Sequence, residues 1–230
     1  MARKVAHEIK NPLTPIAVSI ADLRRSYQLQ RPEFPAILDQ ATRTVSEEVE
    51  RLKRLLHEFS EYGRFPAPRI ATCSVSAILS DLAVLYGAEI DAGRLVLSRP
   101  DPDIPFAADG AQIHQALVNL IKNGLEAATE TRGSGAAPPT RREPPRVMVS
   151  ARIDRDLLEL SVADEGPGVD PGQRAHLFVP GFTTKSQGSG LGLTIVERIV
   201  SDHHGSIAVE PAPGSGTVFR IRLPLAARTA

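Results

Sequence analysis

Residues 158–168 have the sequence LELSVADEGPG, in which an apolar strand ends in an acid and two glycines. Asp164 directly follows the strand pattern of residues 157–163, and Gly166 and Gly168 come next. A carboxylate at a strand end, beside glycines that let a backbone approach closely, suits recognition of a flat group that bears an amine. Taken alone, Asp-x-Gly-x-Gly is equally a turn, so the segments around it determine its meaning.

Helix and strand patterns alternate on both sides of this stretch. The sequence predicts helices at 75–90, 111–130 and 191–203, and strands at 94–98, 104–107, 146–153, 157–163, 206–210 and 217–223. This order favours an α/β sandwich, one sheet with helices on one face. Residues 131–145 contain four prolines and two glycines, which predicts a flexible loop.

Residues 5–62 show a purely helical pattern instead. Apolar residues recur every three or four positions, at Ile9, Leu13, Ile16, Ile20, Leu23 and Tyr27 and then, beyond two prolines in 30–35, at Leu38, Ala41, Val45, Val49, Leu52, Leu56 and Phe59. Two helices with narrow apolar stripes form a hairpin, and a second copy would cover the exposed part of the stripe. The pattern therefore favours a dimeric four-helix bundle over a monomeric hairpin packed on the second domain.

The chain is thus predicted to contain two domains, a helical hairpin at 1–65 and an α+β domain at 74–227. Residues 66–73 begin with two prolines and predict a linker. The candidate reactive residues start six positions after Met1, so we expect that a sensing part lies outside this sequence and that the parent protein is anchored in the inner membrane.

The amino-acid composition limits the classes of function and the cellular environment that the chain fits. Lys plus Arg and Asp plus Glu number 27 each, and this balance argues against a broad surface for nucleic acid. The single cysteine, Cys73, excludes an internal disulfide and fits a reducing cytosol. No apolar run approaches the roughly 20 residues of a membrane span, so we expect this part of the protein to be soluble and cytoplasmic.

His7 lies on the first helix, with Glu8 beside it and Asn11 one turn further. If Leu13 occupies an a position of the heptad, His7 points to solvent. A neighbouring carboxylate can accept one imidazole N–H and make the other ring nitrogen a better nucleophile. Pro12 and Pro15 are expected to kink the helix after this histidine.

Asn119 and Asn123 share one face of a predicted helix. Carboxamide oxygens can coordinate Mg²⁺ without cancelling its charge, which suits a metal that also holds phosphates. The alternative is that they make caps or hydrogen bonds between helices.

Residues 188–193, GSGLGL, lead into another helix. Glycines that free backbone amides, together with a helix N-terminus, favour binding of phosphate oxygens. The stretch is not a P-loop, because no Gly-Lys-Ser/Thr follows it, and it is not a dinucleotide fingerprint, because it does not follow a strand within a βαβ unit.

Taken in order, these segments resemble the bacterial two-component sensor histidine kinases. Residues 6–13 (AHEIKNPL) resemble their phosphoacceptor box, 119–127 the N box, 164–168 the G1 box, 177–182 (LFVPGF) the F box and 188–193 the G2 box. Residues 14–16 and 59–68 further resemble the nitrogen-regulation, NtrY-type kinases. Gly124 departs from the family, which often has alanine there.

The resemblance implies a Bergerat-type fold that binds ATP and Mg²⁺ and phosphorylates His7. Glu8 would be the orienting base, and Glu8 with Asn11 would support dephosphorylation of the partner, a response-regulator receiver domain. Asn123 would ligate Mg²⁺ and Asp164 would bind the adenine amine. The implied ATP site comprises Asn119, Lys122, Asn123, Asp164, Gly166, Gly168, Phe178, Phe182, Thr183, Thr184, Lys185, Gly188, Ser189, Gly190, Leu191 and Gly192.

Two other functions stay open at this point. One is an ATPase of the gyrase, chaperone or mismatch-repair type, which hydrolyses ATP without a phosphohistidine. The other is a non-catalytic dimeric scaffold, against which Asn123, Asp164 and the glycines of 188–192 argue. The sequence identifies neither the stimulus nor the cognate regulator.

Overall fold

The computed structural model describes residues 2–63, 66–130, 146–185 and 190–226, with side chains from residue 10 to 53 in the first range and to 129 in the second. The chain divides into two compact units, residues 1–65 with 183–191 and residues 66–182 with 192–230. The loop predicted at 131–145 lies outside the described residues.

The first unit contains a helical hairpin, as the apolar spacing predicts. Helix α1 (Ala2–Gln28) and helix α2 (Phe34–Gly63) contact each other along their length. The chain reverses at Gln30, which has a φ of 45°, and the rings of Tyr27 and Phe34 lie 5.8 Å apart across the turn. Helix α1 continues through Pro12 and Pro15, so the expected interruption does not end it.

One stripe of the hairpin is largely exposed among the described side chains. Leu13, Ile20 and Tyr27 follow one another at seven-residue spacing and are 47%, 55% and 71% exposed. On α2, Leu38 and Val49 are also exposed. Among the side chains that the structure describes, these a positions of α1 therefore stay largely exposed, apart from the ring contact of Tyr27 with Phe34, although Ala41 of α2 is buried.

The second unit is built on a five-stranded sheet with the order β2-β4-β5-β7-β6. Its strands are β2 (Leu95–Leu97), β4 (Val147–Asp154), β5 (Leu157–Asp164), β6 (Ser206–Pro211) and β7 (Thr217–Pro224). Strand β2 runs parallel to β4, and the other neighbours are antiparallel. The turn between β4 and β5 contains Arg155, whose φ is 56°.

Helices cover one face of this sheet. Helix α5 (Gly110–Glu130) contacts β4 and β5, and helix α6 (Gly192–Asp202) contacts β6 and β7. Leu158, Leu160 and Val162 alternate along β5 and are each at most 2% exposed beneath these helices. The predicted sandwich is confirmed, since period-two burial on the strands meets period-3.6 burial on the helices.

The opposite face of the sheet carries a buried acid. The Glu159 side chain is fully buried, and its carboxylate accepts hydrogen bonds from Arg152, Arg220 and Arg222 at 2.8–3.0 Å. Burial alone would raise the pKa of Glu159, but the hydrogen bonds from Arg222, Arg152 and Arg220 outweigh it and hold the pKa below its usual range. A charged residue is tolerated here because three cations satisfy it.

Two predicted boundaries are corrected by the structure. The helix predicted at 75–90 is split into α3 (Val75–Leu85) and α4 (Gly87–Asp91), with Tyr86 between them. The predicted linker 66–73 is shorter, because β1 (Ala71–Ser74) pairs with β3 (Pro105–Ala108) in a separate two-stranded sheet. The partner of β1 is distant in sequence, so the local pattern did not predict this strand.

The start of the second unit is tied to α5. The Arg69 N–H donates to Asp109 Oδ2, and Gln112 Nε2 donates to the Pro66 carbonyl oxygen. The Asp109 N–H in turn donates to Nε2 of the buried His203, whose Nδ1 lies 2.7 Å from the Ile199 carbonyl oxygen. The end of α6 is thereby joined to the start of α5.

Candidate functional site

Asp164 lies at the end of β5 and is 5% exposed. Its Oδ1 accepts hydrogen bonds from the Gly166 N–H at 2.9 Å and from the Thr217 N–H at 3.3 Å. Two backbone donors from different strand ends thus fix the plane of this carboxylate. The acid of the predicted G1 box is held in one orientation, as a recognition group needs to be.

Helix α5 lies directly against this turn. A Cβ placed on Gly124 would lie 3.3 Å from Asp164 Cβ and 3.0 Å from Val147 Cγ2, and one placed on Gly166 would lie 2.9 Å from Ala127 Cβ. The glycine that departs from the family pattern therefore lets α5 approach the sheet closely beside Asp164. The N and G1 boxes, some 40 residues apart in sequence, form one surface.

The start of α6 also lies beside α5, and it forms one group of site elements with Asn119, Asn123 and the Asp164 turn. A Cβ on Gly192 would lie 3.6 Å from Asn119 Oδ1 and 3.9 Å from Asn123 Nδ2. Both asparagine side chains are half-buried and face the first residue of α6, whereas Lys122 is exposed. The N-terminus of α6 is therefore next to two carboxamides on α5, and these are the elements that the sequence predicted to meet at phosphates and metal.

The F-box segment is anchored to α6. Thr194, which is buried, donates through Oγ1 to the Phe178 carbonyl oxygen at 3.2 Å. Phe178 and Phe182 are half-buried, and the Phe182 ring lies 6.0 Å from the His176 ring. Sequence reasoning missed Thr194, because an ordinary helix residue gives no local signal of this bond.

The turn between β6 and β7 is a second feature that sequence reasoning missed. Ser215 Oγ donates to the Gly166 carbonyl oxygen at 2.7 Å, and Thr217 donates to Asp164 as described. The repeated glycines in residues 214–217, GSGT, are the one signal that could have identified the turn as part of the site. The structure thus adds a long-range element to the predicted G1 loop.

Several predicted site residues lie outside this group. Thr183, Thr184, Lys185, Gly190 and Leu191 belong to the first unit, where the Lys185 N–H donates to Thr183 Oγ1. Gly188 and Ser189 lie outside the described residues. Their predicted role above the phosphates stays a prediction.

The predicted phosphoacceptor residues lie on α1. His7 and Glu8 are part of this helix, but their side chains lie outside the described residues. Asn11, one turn further along, is exposed. The solvent-facing orientation of His7 therefore stays a prediction.

The residues around Asn123 suit a cation that phosphates help to hold. Among the residues that the structure describes, no three His, Cys, Asp or Glu side chains form a cluster able to hold a metal by themselves. The donors beside α6 are instead the neutral carboxamides of Asn119 and Asn123. Mg²⁺ is commonly bound by one or two protein ligands together with substrate phosphates, so this donor set fits it.

Family models match most of the chain, in two separate ranges. The His Kinase A (phospho-acceptor) domain matches residues 1–68, and the histidine kinase-, DNA gyrase B- and HSP90-like ATPase domain matches residues 108–227. No helix in the described ranges is both long enough and apolar enough to cross a membrane.

Curated relatives match almost the entire chain. The nitrogen regulation protein NtrY of Azorhizobium caulinodans is 36% identical over 226 residues, which cover 97% of this chain and 28% of NtrY. The sensory histidine kinase/phosphatase NtrB of Rhodobacter capsulatus is 32% identical over 234 residues, 98% of this chain and 62% of NtrB. This chain therefore spans less than two thirds of the length of either relative.

Solved structures show the same architecture. Histidine kinase ThkA in complex with the response regulator protein TrrA aligns with a TM-score of 0.72 at 25% identity, over 98% of this chain and 61% of that one. Full-length ShkA in complex with AMPPNP aligns with a TM-score of 0.62 at 25% identity, over 85% of this chain and 40% of ShkA. With a phosphoacceptor domain, an ATPase domain and relatives along nearly its whole length, this chain belongs to the sensor histidine kinases and resembles those of the NtrY and NtrB type.

Proposed function

We propose that this chain is a transmitter module that moves the γ-phosphate of ATP to a ring nitrogen of His7 and then to an aspartate of a response-regulator receiver domain. The single observation that carries the proposal is the convergence of Asn119 and Asn123, the Asp164 turn and the first residue of α6 in one place. These are the adenine, metal and phosphate elements of the family, and they come from three distant parts of the sequence.

The Asp164 carboxylate would bind the adenine amine. Backbone N–H groups already occupy Oδ1 and hold the group in its plane, as required for an acceptor whose ligand is flat. Gly166 has no side chain, which lets the loop pack directly against Ala127 of α5 beside this carboxylate. Binding of the nucleotide is thus assigned to residues that the fold itself orients.

The carboxamide of Asn123 would hold Mg²⁺, with Asn119 near the phosphates. When bound, the ion would neutralise charge that develops on the transferred group. Thr183, Thr184, Lys185 and the glycines of 188–192 would cover the phosphates, and Phe178 and Phe182 would anchor that segment. Lys122 is exposed on α5 and would contribute positive charge at the edge of the proposed ATP site.

His7 would attack the γ-phosphorus through a ring nitrogen while Glu8 accepts the proton of the other nitrogen. The new N–P bond forms as the bond from γ-phosphorus to the leaving ADP oxygen breaks. Glu8 and Asn11 would also support removal of phosphate from the regulator, as the name of the relative NtrB, a kinase/phosphatase, suggests.

The working unit would be a dimer formed through the hairpin. Leu13, Ile20 and Tyr27 form a largely exposed apolar stripe on α1, and a second hairpin would bury it as a four-helix bundle. A receiver domain would dock on the same two helices; the solved ThkA–TrrA complex pairs a kinase of this fold with a response regulator. We place this module in the cytoplasm, attached in the parent protein to a membrane-anchored sensing part.

Incubation with γ-labelled ATP and Mg²⁺ tests the proposal. We expect label to stay on the chain in a form that acid removes and alkali does not, and to be absent from His7→Gln. If His7→Gln still hydrolysed ATP at the wild-type rate, the chain would instead be a simple ATPase of the same fold. If the wild type bound no ATP, it would be a scaffold. A longer protein that extends upstream of residue 1 is the control for a negative result.

A further inference from the structure

The turn between β6 and β7 closes a ring of hydrogen bonds around Asp164. Ser215 Oγ donates to the Gly166 carbonyl oxygen, while Thr217, two residues after Ser215, donates its N–H to Asp164 Oδ1. Gly166, two residues after Asp164, donates its own N–H to the same oxygen. These hydrogen bonds therefore fix the β6–β7 turn and the G1 loop relative to each other.

The two backbones meet without space between them. A Cβ on Gly216, whose φ is +108°, would lie 1.8 Å from the Asp164 carbonyl oxygen, which no side chain tolerates. A Cβ on Gly168 would lie 3.3 Å from the Gly216 carbonyl oxygen. The two backbones thus pack closely, and two hydrogen bonds join them, one from Ser215 Oγ to the Gly166 carbonyl oxygen and one from the Thr217 N–H to Asp164 Oδ1.

The G1 loop is held differently on its other side. There Gly166 lies against Ala127 of α5 through van der Waals contact, which limits how far the loop moves toward the helix. A steric stop resists approach but not separation, whereas a hydrogen bond resists separation. Hydrogen bonds between Glu165 and Arg146 hold the preceding residue of the loop, and the bond from Ser215 holds the Gly166 carbonyl itself in place beside the carboxylate.

We propose that Ser215 is a positioning residue for nucleotide binding, which fixes the Asp164 carboxylate by tying the β6–β7 turn to the G1 loop. This rests on the proposed function, since it assumes that Asp164 binds the adenine amine. Ser215 touches neither the reacting phosphate nor His7 in this role. Its loss should weaken ATP binding while the rate of phosphate transfer at saturation is kept.

Ser215→Ala in the full chain tests this role. The expected result is a Kd and KM for Mg-ATP about 3- to 10-fold higher, the range for one lost hydrogen bond, with kcat for His7 phosphorylation within about 2-fold. Ser215→Thr, which keeps the hydroxyl, should restore both constants. Ser206→Ala, at an exposed serine on the same hairpin, is the matched control and should change neither.

Amide hydrogen exchange at Gly166 and Thr217 provides a readout that needs no nucleotide. Both amides should exchange faster in Ser215→Ala than in Ser206→Ala, with the thermal midpoint of the two variants alike. An unchanged Kd in Ser215→Ala beside a wild type that binds ATP would overturn this role alone. An unchanged exchange rate would do the same, and so would a Kd that Ser215→Thr fails to restore. A wild type that binds no ATP would overturn the proposed function together with this role.

Discussion

The sheet domain and the helical hairpin differ in how completely their polar and apolar side chains find partners within a single chain. In the sheet domain, Asp164, Glu159 and His203 are buried polar residues, and each has partners from a distant part of the same domain. In the hairpin, Leu13, Ile20 and Tyr27 are apolar residues that stay 47–71% exposed, with Phe34 of α2 against the Tyr27 ring. The difference indicates that the elements proposed to bind the nucleotide come together within one chain, whereas the exposed stripe of α1 is left for a second copy in the dimer that we propose.

The largest effect is expected from a charge in the exposed stripe. Ile20→Asp would place two carboxylates in the bundle of a dimer, where unpaired charges are strongly unfavourable, so the dimer should dissociate about 100-fold or more readily. Sedimentation velocity across a concentration series measures this. Ala21→Glu, at the neighbouring exposed position off the stripe, is the control.

The affinity of Ile20→Asp for ATP shows whether the two regions are independent. We expect it to match the wild type, because Asn119, Asn123 and Asp164 all belong to the second unit. If Ile20→Asp stayed dimeric, the stripe would not be the interface. If the variant dissociated and also lost ATP binding, the contrast between the regions would be wrong.

The next effect is expected at the nucleotide site. Asp164→Asn keeps an oxygen that accepts from Gly166 and Thr217 but removes the charge offered to the adenine amine, so ATP affinity should fall about 10- to 100-fold. Calorimetric titration with Mg-ATP measures the change. Asp170→Asn is the matched control, because Asp170 Oδ1 likewise accepts the N–H of a glycine two residues on but is exposed. Equal affinities in the two variants would contradict the assignment of Asp164.

A smaller effect, on stability, is expected from His203→Phe. The change keeps a ring in a buried position but leaves the Asp109 N–H without its acceptor, at a loss of about 1–3 kcal/mol in the free energy of unfolding. Urea denaturation of the full chain measures it. The neighbouring exposed His204 has a φ of 56°, which asparagine tolerates, so His204→Asn should be close to neutral. A neutral His203→Phe would show that α5 and α6 hold together without this bond.

The smallest effect is expected in the pH dependence of the free energy of unfolding. Ser74 Oγ and the N–H groups of Ser76 and Ile104 donate to Asp103 and lower its pKa from 3.8 to about 2. Because the pKa is lower in the folded state, this contribution to stability is fully present above pH 3.8 and is lost as the pH falls toward 2. The urea midpoint of the wild type should therefore lose this component in that window, and Asp103→Asn should lack it. Parallel pH profiles of the two proteins would contradict the assignment.

The fold could largely be predicted from the sequence, because local periodicity reports burial. The apolar residues of β5 alternate, and those of α1 recur at heptad spacing, so both elements were predictable from a few residues. Strand β1 was not, since Ala71–Ser74 is only four residues long, contains no large apolar side chain and depends on pairing with Pro105–Ala108. The helix break at Tyr86 was not predicted either, because no proline marks the junction between α3 and α4.

The site was predicted only where its residues are unusual for their element. Two asparagines in an apolar helix and an acid before paired glycines stand out in any context. Ser215, Thr217 and Thr194 do not, because their importance comes from bonds to residues 16 to 53 positions away. Local sequence reports what a segment can do, whereas the supporting bonds depend on which segments the fold brings together.

The central claim is that a nucleotide held by the sheet domain phosphorylates His7 of the hairpin. The most direct measurement follows radioactivity from γ-labelled and α-labelled ATP on wild type, His7→Gln and Asp164→Asn side by side, with the labelled peptide identified by mass spectrometry. We predict label from the γ position alone, on the peptide containing His7, absent from His7→Gln and strongly reduced in Asp164→Asn at limiting ATP. Equal γ-label on wild type and His7→Gln would contradict the account.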